Sequence, residues 1–281
     1  MTNRSRRIVI KIGGRALETG RATDELAGEL AILSGEVVLV HGGGSEVSAW
    51  CERLGIEPRF ENGLRVTDAA TLEVAAAVLA GLANKRLVAG LRARGVDAVG
   101  LTALDGGIVE ARPHSAAARL GEVGTVAQVH PALLETLLAQ GSLPVLASLG
   151  AFEGRLLNLN ADDLAAALAS ALHASALVLL SDVPGVQLAG RLIEHIGRDD
   201  LDQVISDPGV TGGMTAKLIA SRSALDDGVS RVHIAAWQGA GTLRDIIAGA
   251  GLGTTLAPGA TAPDSDRVRG VTASSGVGER A

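Results

Sequence analysis

Arg7-Ile8-Val9-Ile10-Lys11-Ile12-Gly13-Gly14 is the stretch from which the architecture can be read. Its apolar run, closed by glycines, reads as a strand over Arg7–Ile12 buried on both faces, as in a mostly parallel sheet covered by helices. Lys11 breaks the run just before the glycines. The chain holds only three lysines against 22 arginines, so arginine serves wherever a solvated positive charge is enough. A lysine kept at a strand end offers a compact ammonium that can follow an oxygen whose charge grows, as on a phosphoryl group in transfer. Lys217 has a comparable place, just inside a helical stretch opened by Gly212-Gly213-Met214.

Further strands are expected at Val37-Val38-Leu39-Val40, Leu143–Leu146, Ala176–Leu180 and Arg231–Ala235, alternating with helical periodicity. Thr23 is expected to cap a helix carrying Leu26, Leu30 and Leu33, with Asp24 and Glu25 at its positive end. Ser45 is expected to cap a helix stopped by Gly55, and Thr67 a longer one running past Asn84 and Lys85 towards Gly95. Pro131 marks the start of another helix. Asn160 fits the cap of a helix with Leu164, Leu168 and Leu172 on one face.

Composition narrows the function classes. Hydrophobic residues make up 47% of the 281, but there are two Phe, two Trp and no Tyr, so the core is aliphatic. A net charge of −6 and the lack of an aromatic-basic stripe exclude a nucleic-acid surface. Cys51 is alone, which excludes an intrachain disulfide and a cysteine-rich zinc site, and the six histidines form no i, i+4 pair. No metal ligand set is expected. No stretch is expected to reach membrane-spanning length, and a cytoplasmic protein without membrane partners is the expectation. A composition step near Ala174 divides residues 1–175 from 176–256, and 257–281 reads as a disordered tail whose removal should leave activity unchanged.

Two glycine clusters follow strands, Gly13-Gly14 and Gly42-Gly43-Gly44. Glycine lets the backbone approach an anion, and a following helix start offers unpaired N–H groups. Each cluster alone would also serve a tight turn; with Lys11 they describe a phosphate cradle at neighbouring strand ends. His41-Gly42-Gly43-Gly44 resembles an esterase oxyanion loop, but no G-x-S-x-G follows anywhere. A Gly-Lys pair for a P-loop and a G-x-G-x-x-G after either early strand are also missing. Asp162-Asp163 suit a helix first turn, and beside two lysines an aspartate can also hold both ammonium groups in place. Ser181-Asp182-Val183-Pro184-Gly185 is an ordinary Pro-Gly turn or a nucleotide contact. Arg65, just before a helix start, can fork onto a carboxylate. His41 reads as a packed strand-end residue.

In order and spacing the chain resembles the amino-acid kinase family up to about Leu256. The matching segments are Lys11-Ile-Gly-Gly14, Val40-His-Gly-Gly-Gly44, Asn62-Gly-Leu-Arg-Val-Thr67, Ala83-Asn-Lys85 and Gly121-Glu-Val-Gly124. They continue with Asn158-Leu-Asn-Ala-Asp162, Ser181-Asp-Val-Pro-Gly185, and Thr211-Gly-Gly-Met214 followed by Lys217. The resemblance implies an α/β fold, a three-layer αβα sandwich with a mostly parallel central sheet, with the acyl amino acid and the dimer contact in the N-terminal lobe and ATP in the C-terminal lobe. Lys11 and Lys217 would neutralise the transferring phosphoryl group beside Gly14 and Gly44, and Asp162 would organise the lysines. Substrate would lie against Gly43, Gly44, Arg65, Asn158 and Asn160. Nucleotide would lie against Lys11, Gly13, Gly14, Ser181, Asp182, Gly213, Met214 and Lys217, with Mg2+ held by phosphate oxygens and waters.

Within the family the pattern is most similar to members that phosphorylate the γ-carboxylate of N-acetyl-L-glutamate with ATP in arginine biosynthesis; Gly44 and Ala161 favour this. The alternatives are a kinase for carrier-protein-bound aminoadipate or glutamate in lysine biosynthesis, and a non-catalytic amino-acid sensor. A carboxylate acceptor is already ionised near neutral pH, so no general base is required. Arginine-inhibited members resemble one another in an additional N-terminal helix that links dimers into a ring. Seven residues precede Ile8, too few for such a helix, so the expectation is a homodimer without arginine feedback.

Overall fold

The computed structural model describes residues 7–13, 20–33 and 36–259. Its centre is an eight-stranded sheet. From edge to edge the strands are His195–Gly197, Thr254–Ala257, Val232–Ala236, Ala176–Ser181, Ile8–Ile12, Val37–His41, Leu143–Ala147 and Ala98–Thr102. The last six are mutually parallel, and the first two run opposite to them. The expected α/β sandwich is therefore present.

Every residue of Ile8–Ile12, Val37–His41, Leu143–Ala147 and Ala176–Ser181 is buried, because both sheet faces are covered. Alternation sorts their side chains. Val9 joins a core with Leu164, Leu168 and Leu218, while Ile8, Ile10 and Ile12 join the opposite core with Leu26, Leu30 and Leu91. Lys11 shares the face of Val9. Strand geometry alone thus turns its ammonium towards the helix Ala161–Ala171, which packs on this strand.

A second sheet of four strands, Val109–Pro113, Val123–Val129, Arg155–Leu159 and Leu149–Phe152, packs over the first core. None of its strands was expected from the sequence. Three expected caps also move. The first helix begins at Gly20, so Thr23 lies inside it. The helix Gly44–Arg53 is capped by Gly43, which puts Ser45 in its first turn; Gly55, with φ 75°, follows its end as expected. Asp68 replaces Thr67 as the cap of the next helix, accepting a bond from Thr71 N. Thr67 is taken up elsewhere: its N–H reaches Leu120 O at 2.7 Å and its hydroxyl reaches Arg65 O at 2.9 Å. Pro131 and Asn160 cap their helices as expected.

That next helix runs without a break over 69–92, with a π-helical segment at Ala77–Ala83. At 24 residues, with an 18-residue window of mean hydropathy 1.4, it is long and apolar enough to cross a membrane, which corrects the expectation that no stretch reaches that length. Asn84 is fully buried within it and Val74, Ala75, Val78 and Leu79 pack against Val47 and Cys51, as in the core helix of a globular domain. Cys51 is buried, and burial raises its thiol out of the reactive range. The tail is expected to begin at Ala257, but Ala257 still belongs to the strand Thr254–Ala257; beyond position 259 the tail lies outside the described residues.

His233, on the strand Val232–Ala236, is 3% exposed, and burial together with Arg231 lowers its pKa to about 4. Between pH 6.5 and 4 the unfolded chain therefore binds the proton first, and stability falls as pH falls through that window by about 3 kcal/mol. In urea titrations at pH 7 and 4.5, His233→Asn should lose less stability than wild type over this interval. Equal losses would contradict this burden on the imidazole.

Candidate active site

The carboxyl ends of Ile8–Ile12, Val37–His41 and Ala176–Ser181 meet where strand order changes direction in the sheet, the usual crevice of an open α/β fold. A cavity of about 240 Å3 opens there, bordered by Gly13, Gly42, Gly43 and Gly44 and by Lys11, Asp162 and Lys217. Asn160 accepts hydrogen bonds from Asp162 N and Asp163 N, so the cap it forms fixes where the Asp162 carboxylate emerges.

Lys11 Nζ lies 2.9 Å from Asp162 Oδ1 and Lys217 Nζ lies 2.9 Å from Oδ2. Asp162 is 5% exposed. Burial alone would push its carboxyl up, but Lys11 and Lys217 together overcome this and hold it below the usual carboxylate range. Burial lowers the pKa of Lys11, Asp162 opposes that, and Lys217 lowers it further. Two cations on one anion leave the floor of the cavity one positive charge in excess, which suits an anion from outside.

Gly43 and Gly44 sit at the start of the helix Gly44–Arg53, and among the described residues their N–H groups donate to nothing within the chain. They are helix-start donors facing a cavity. Across from them Arg65 is 8% exposed and no aspartate or glutamate among the described residues pairs with it. Its Nη2 donates to Gly44 O and Ser48 Oγ, both at 2.7 Å, and its guanidinium stacks 4.6 Å from the Phe60 ring centroid. Nη1 is buried without a partner. A buried guanidinium with one nitrogen unsatisfied is built for an added carboxylate. Asn158 lines the same cavity, with Nδ2 held 3.1 Å from Thr67 Oγ1.

A hairpin closes one side. Asn62 (φ 50°) and Gly63 (φ 81°) form the tight turn between Phe60–Glu61 and Leu64–Arg65. The turn lies so close to the start of the helix Gly213–Asp226 that a Cβ on Gly63 would stand 2.9 Å from Gly212 O. The arginine side of the cavity is thereby fastened to the helix that carries Lys217.

The structure thus brings together Lys11, Gly13, Gly43, Gly44, Arg65, Asn158, Asn160, Asp162, Gly213 and Lys217. Asn160 commits its Oδ1 to the cap, so a substrate contact falls to Nδ2. Ser181 ends the strand beside Gly13 and Asp182 follows it, but neither borders this cavity, and the Met214 side chain packs against the core. Gly14 lies outside the described residues. Phe60 and Ser48, which orient Arg65, were not expected from the sequence; Phe60 meets Arg65 as its cross-strand partner in a two-residue hairpin, a pairing that leaves no motif to read.

No group of histidine, cysteine, aspartate or glutamate among the described residues could cage a metal ion, and Asp162, the carboxylate bordering the cavity, is taken by both lysines. The donor set fits polyanionic phosphate, not a protein-held cation.

Residues 6–236 match the model of the amino acid kinase family. An acetylglutamate kinase of Methanopyrus kandleri is 46% identical over 241 residues, covering 82% of this chain and 95% of that protein. One from Synechococcus sp. (strain WH7803) is 43% identical over 260 residues, covering 89% and 88%. The crystal structure of an N-acetylglutamate synthase from Neisseria gonorrhoeae, complexed with coenzyme A and N-acetyl-glutamate, superposes with a TM-score of 0.79 at 27% identity. It covers 91% of this chain and 60% of that one. The chain belongs to the amino acid kinase family.

Asp162→Ala should strand two buried ammonium groups and cost about 3–5 kcal/mol in urea unfolding, part of it recovered by added sulfate. A loss under about 1 kcal/mol would show that the carboxylate does not hold the lysines.

Proposed function

We propose that this chain is an ATP-dependent kinase that phosphorylates the γ-carboxylate of N-acetyl-L-glutamate. The observation that carries the proposal is the pairing of Lys11 and Lys217 on one buried carboxylate beside the helix-start N–H groups of Gly43 and Gly44, which donate to no described residue. The names of the relatives supply the acyl amino acid, and the buried, half-satisfied Arg65 supports it as the seat of the α-carboxylate, with Asn158 beside it.

In the proposed reaction a γ-carboxylate oxygen attacks the γ-phosphorus of ATP in line. The new P–O bond forms as the bond to the β,γ-bridging oxygen breaks and ADP leaves with that electron pair. No proton moves at the acceptor, so the reaction needs no general base. The work is to bring two anions together and spread their charge: the lysines do so on the phosphoryl oxygens, and glycine N–H groups add fixed dipoles. Asp162 keeps the ammonium groups from drawing apart. Magnesium would be held by phosphate oxygens and waters rather than by side chains of this site, and would add positive charge to the phosphates.

Acyl amino acid on the side of residues 1–175 and nucleotide on the side of 176–256, with contacts at Ser181 and Asp182, complete the proposal, together with a cytoplasmic place in arginine biosynthesis. A homodimer through the uncharged outer residues of the 69–92 helix, among them Ala77, Gly81 and Leu82, is included; a monomer mass in light scattering would count against it. Intact lysines and aspartate weigh against a non-catalytic amino-acid sensor.

An ADP-release assay on N-acetylglutamate, N-succinylglutamate, glutamate and aspartate decides the substrate, with N-acetylglutamate expected to give the highest kcat/KM. Lys11→Ala and Lys217→Ala should each lower kcat by about 10²-fold or more with smaller changes in KM. Arg65→Lys should raise KM for the acyl amino acid and leave that for ATP near its starting value, because lysine lacks the fork. Near-normal kcat in the folded lysine variants would sink the assignment.

A further inference from the structure

Behind the glycine loop lies a buried polar chain to which the reaction as proposed assigns nothing. His41 ends its strand and is 4% exposed. Its Nδ1 lies 2.9 Å from Gly42 O, and a carbonyl oxygen can only accept, so Nδ1 carries the ring proton. Nε2 is then an acceptor, and Asn84 Nδ2 stands 3.0 Å from it. Asn84 shares its other amide proton between Val145 O at 3.0 Å and the more distant Leu101 O at 3.4 Å, while its Oδ1 accepts from Lys85 Nζ at 3.1 Å. Lys85, the third lysine of the chain, also donates to Gly100 O at 3.1 Å. Turning the amide over would set oxygen against a carbonyl and an NH2 against an ammonium. Only one arrangement satisfies every atom, and burial keeps the imidazole in its neutral form.

The far end of this chain is the peptide between Gly42 and Gly43. A trans peptide holds C=O and N–H in opposite directions. Fixing Gly42 O on His41 therefore turns the Gly43 N–H away from His41, and Gly43 borders the phosphate cavity. The π-helical segment grips the same loop from the other side. Its Leu79 Cδ2 would stand 2.7 Å from a Cβ on Gly43, and the widened turn ends directly at Asn84. Gly100 leaves the space that Asn84 Oδ1 and the Lys85 ammonium occupy.

We propose that His41, held in its Nδ1–H tautomer by Asn84 and through it by Lys85, is the positioning residue that aims the Gly43 N–H at the transferring phosphoryl group. This rests on the phosphoryl-transfer reading of the site.

Two substitutions separate the ring's two bonds. His41→Asn keeps a donor near the Nδ1 position and loses the acceptor for Asn84; His41→Gln keeps an acceptor near Nε2 and loses the donor to Gly42 O. His41→Gln should lower kcat about 10²-fold with KM values within about threefold, and His41→Asn should stay within about tenfold of wild type. Lys85→Met, at an exposed side chain, should lower kcat about threefold in a protein that stays folded by circular dichroism, with a small drop in melting temperature because Asn84 Oδ1 loses its donor. Long-range 1H–15N correlation spectra of the wild-type imidazole should show Nδ1 protonated and Nε2 bare. A proton on Nε2, equal kcat in the Asn and Gln variants, or an unchanged kcat in Lys85→Met would overturn the proposal. Failure of the wild type to phosphorylate any acyl amino acid would instead count against the reaction assigned to the site, and the tautomer would still decide whether His41 holds the loop.

Discussion

Two ammonium groups share one carboxylate in a place that water barely reaches, and most of the site follows from keeping that group together. Lys11 comes from the central strand, Lys217 from a helix 206 positions later in the sequence, and Asp162 from the helix between them. None of the three could be buried alone at neutral pH without losing its charge. Together the two lysines keep the carboxylate below its usual range, and an excess of cationic side chains over carboxylates makes the cavity suited to anions before any specific contact is made. The cap at Asn160 sets the start of the aspartate helix, and so decides where this charge sits.

The glycine loop and Arg65 complement the charge with direction. The lysines are flexible and can follow a moving phosphoryl group, whereas Gly43 and Gly44 present donors fixed by the helix they begin. Arg65 is bound on one side by Gly44 O and Ser48 and left unsatisfied on the other. A shift in the loop therefore reaches both ends of the site, since Gly44 contributes a donor to one and an acceptor to the other. The contact of Gly63 with Gly212 carries the same coupling to the lysine helix.

The buried parallel strands were legible because a run apolar on both faces permits little else, and the lysine-aspartate site was legible because its residues interrupt such runs or cap the helices beside them. Caps were displaced where a tertiary bond outbid a local one: Thr67 satisfies the strand segment beside Leu120 and leaves the capping to Asp68. The second sheet gave no clear signal, since its strands mix polar with apolar residues and, between Glu110 and Ala111, slip register. A π turn carries no periodicity that a 3.6-residue pattern would reveal, so the meeting of Asn84 with His41 could not be foreseen.

Scarcity of lysine has a chemical corollary. Of the three side-chain amines, Lys11 and Lys217 are sheltered beside Asp162 and only Lys85 is exposed. Acylating reagents therefore meet one open side-chain amine, and apart from the N-terminal amine a dye or surface tether attached this way would sit at Lys85. That point is also the outer end of the hydrogen-bonded chain behind the glycine loop, so a label that removes the ammonium removes the pin on Asn84. Reductive methylation, which keeps the positive charge, is the gentler chemistry for this protein.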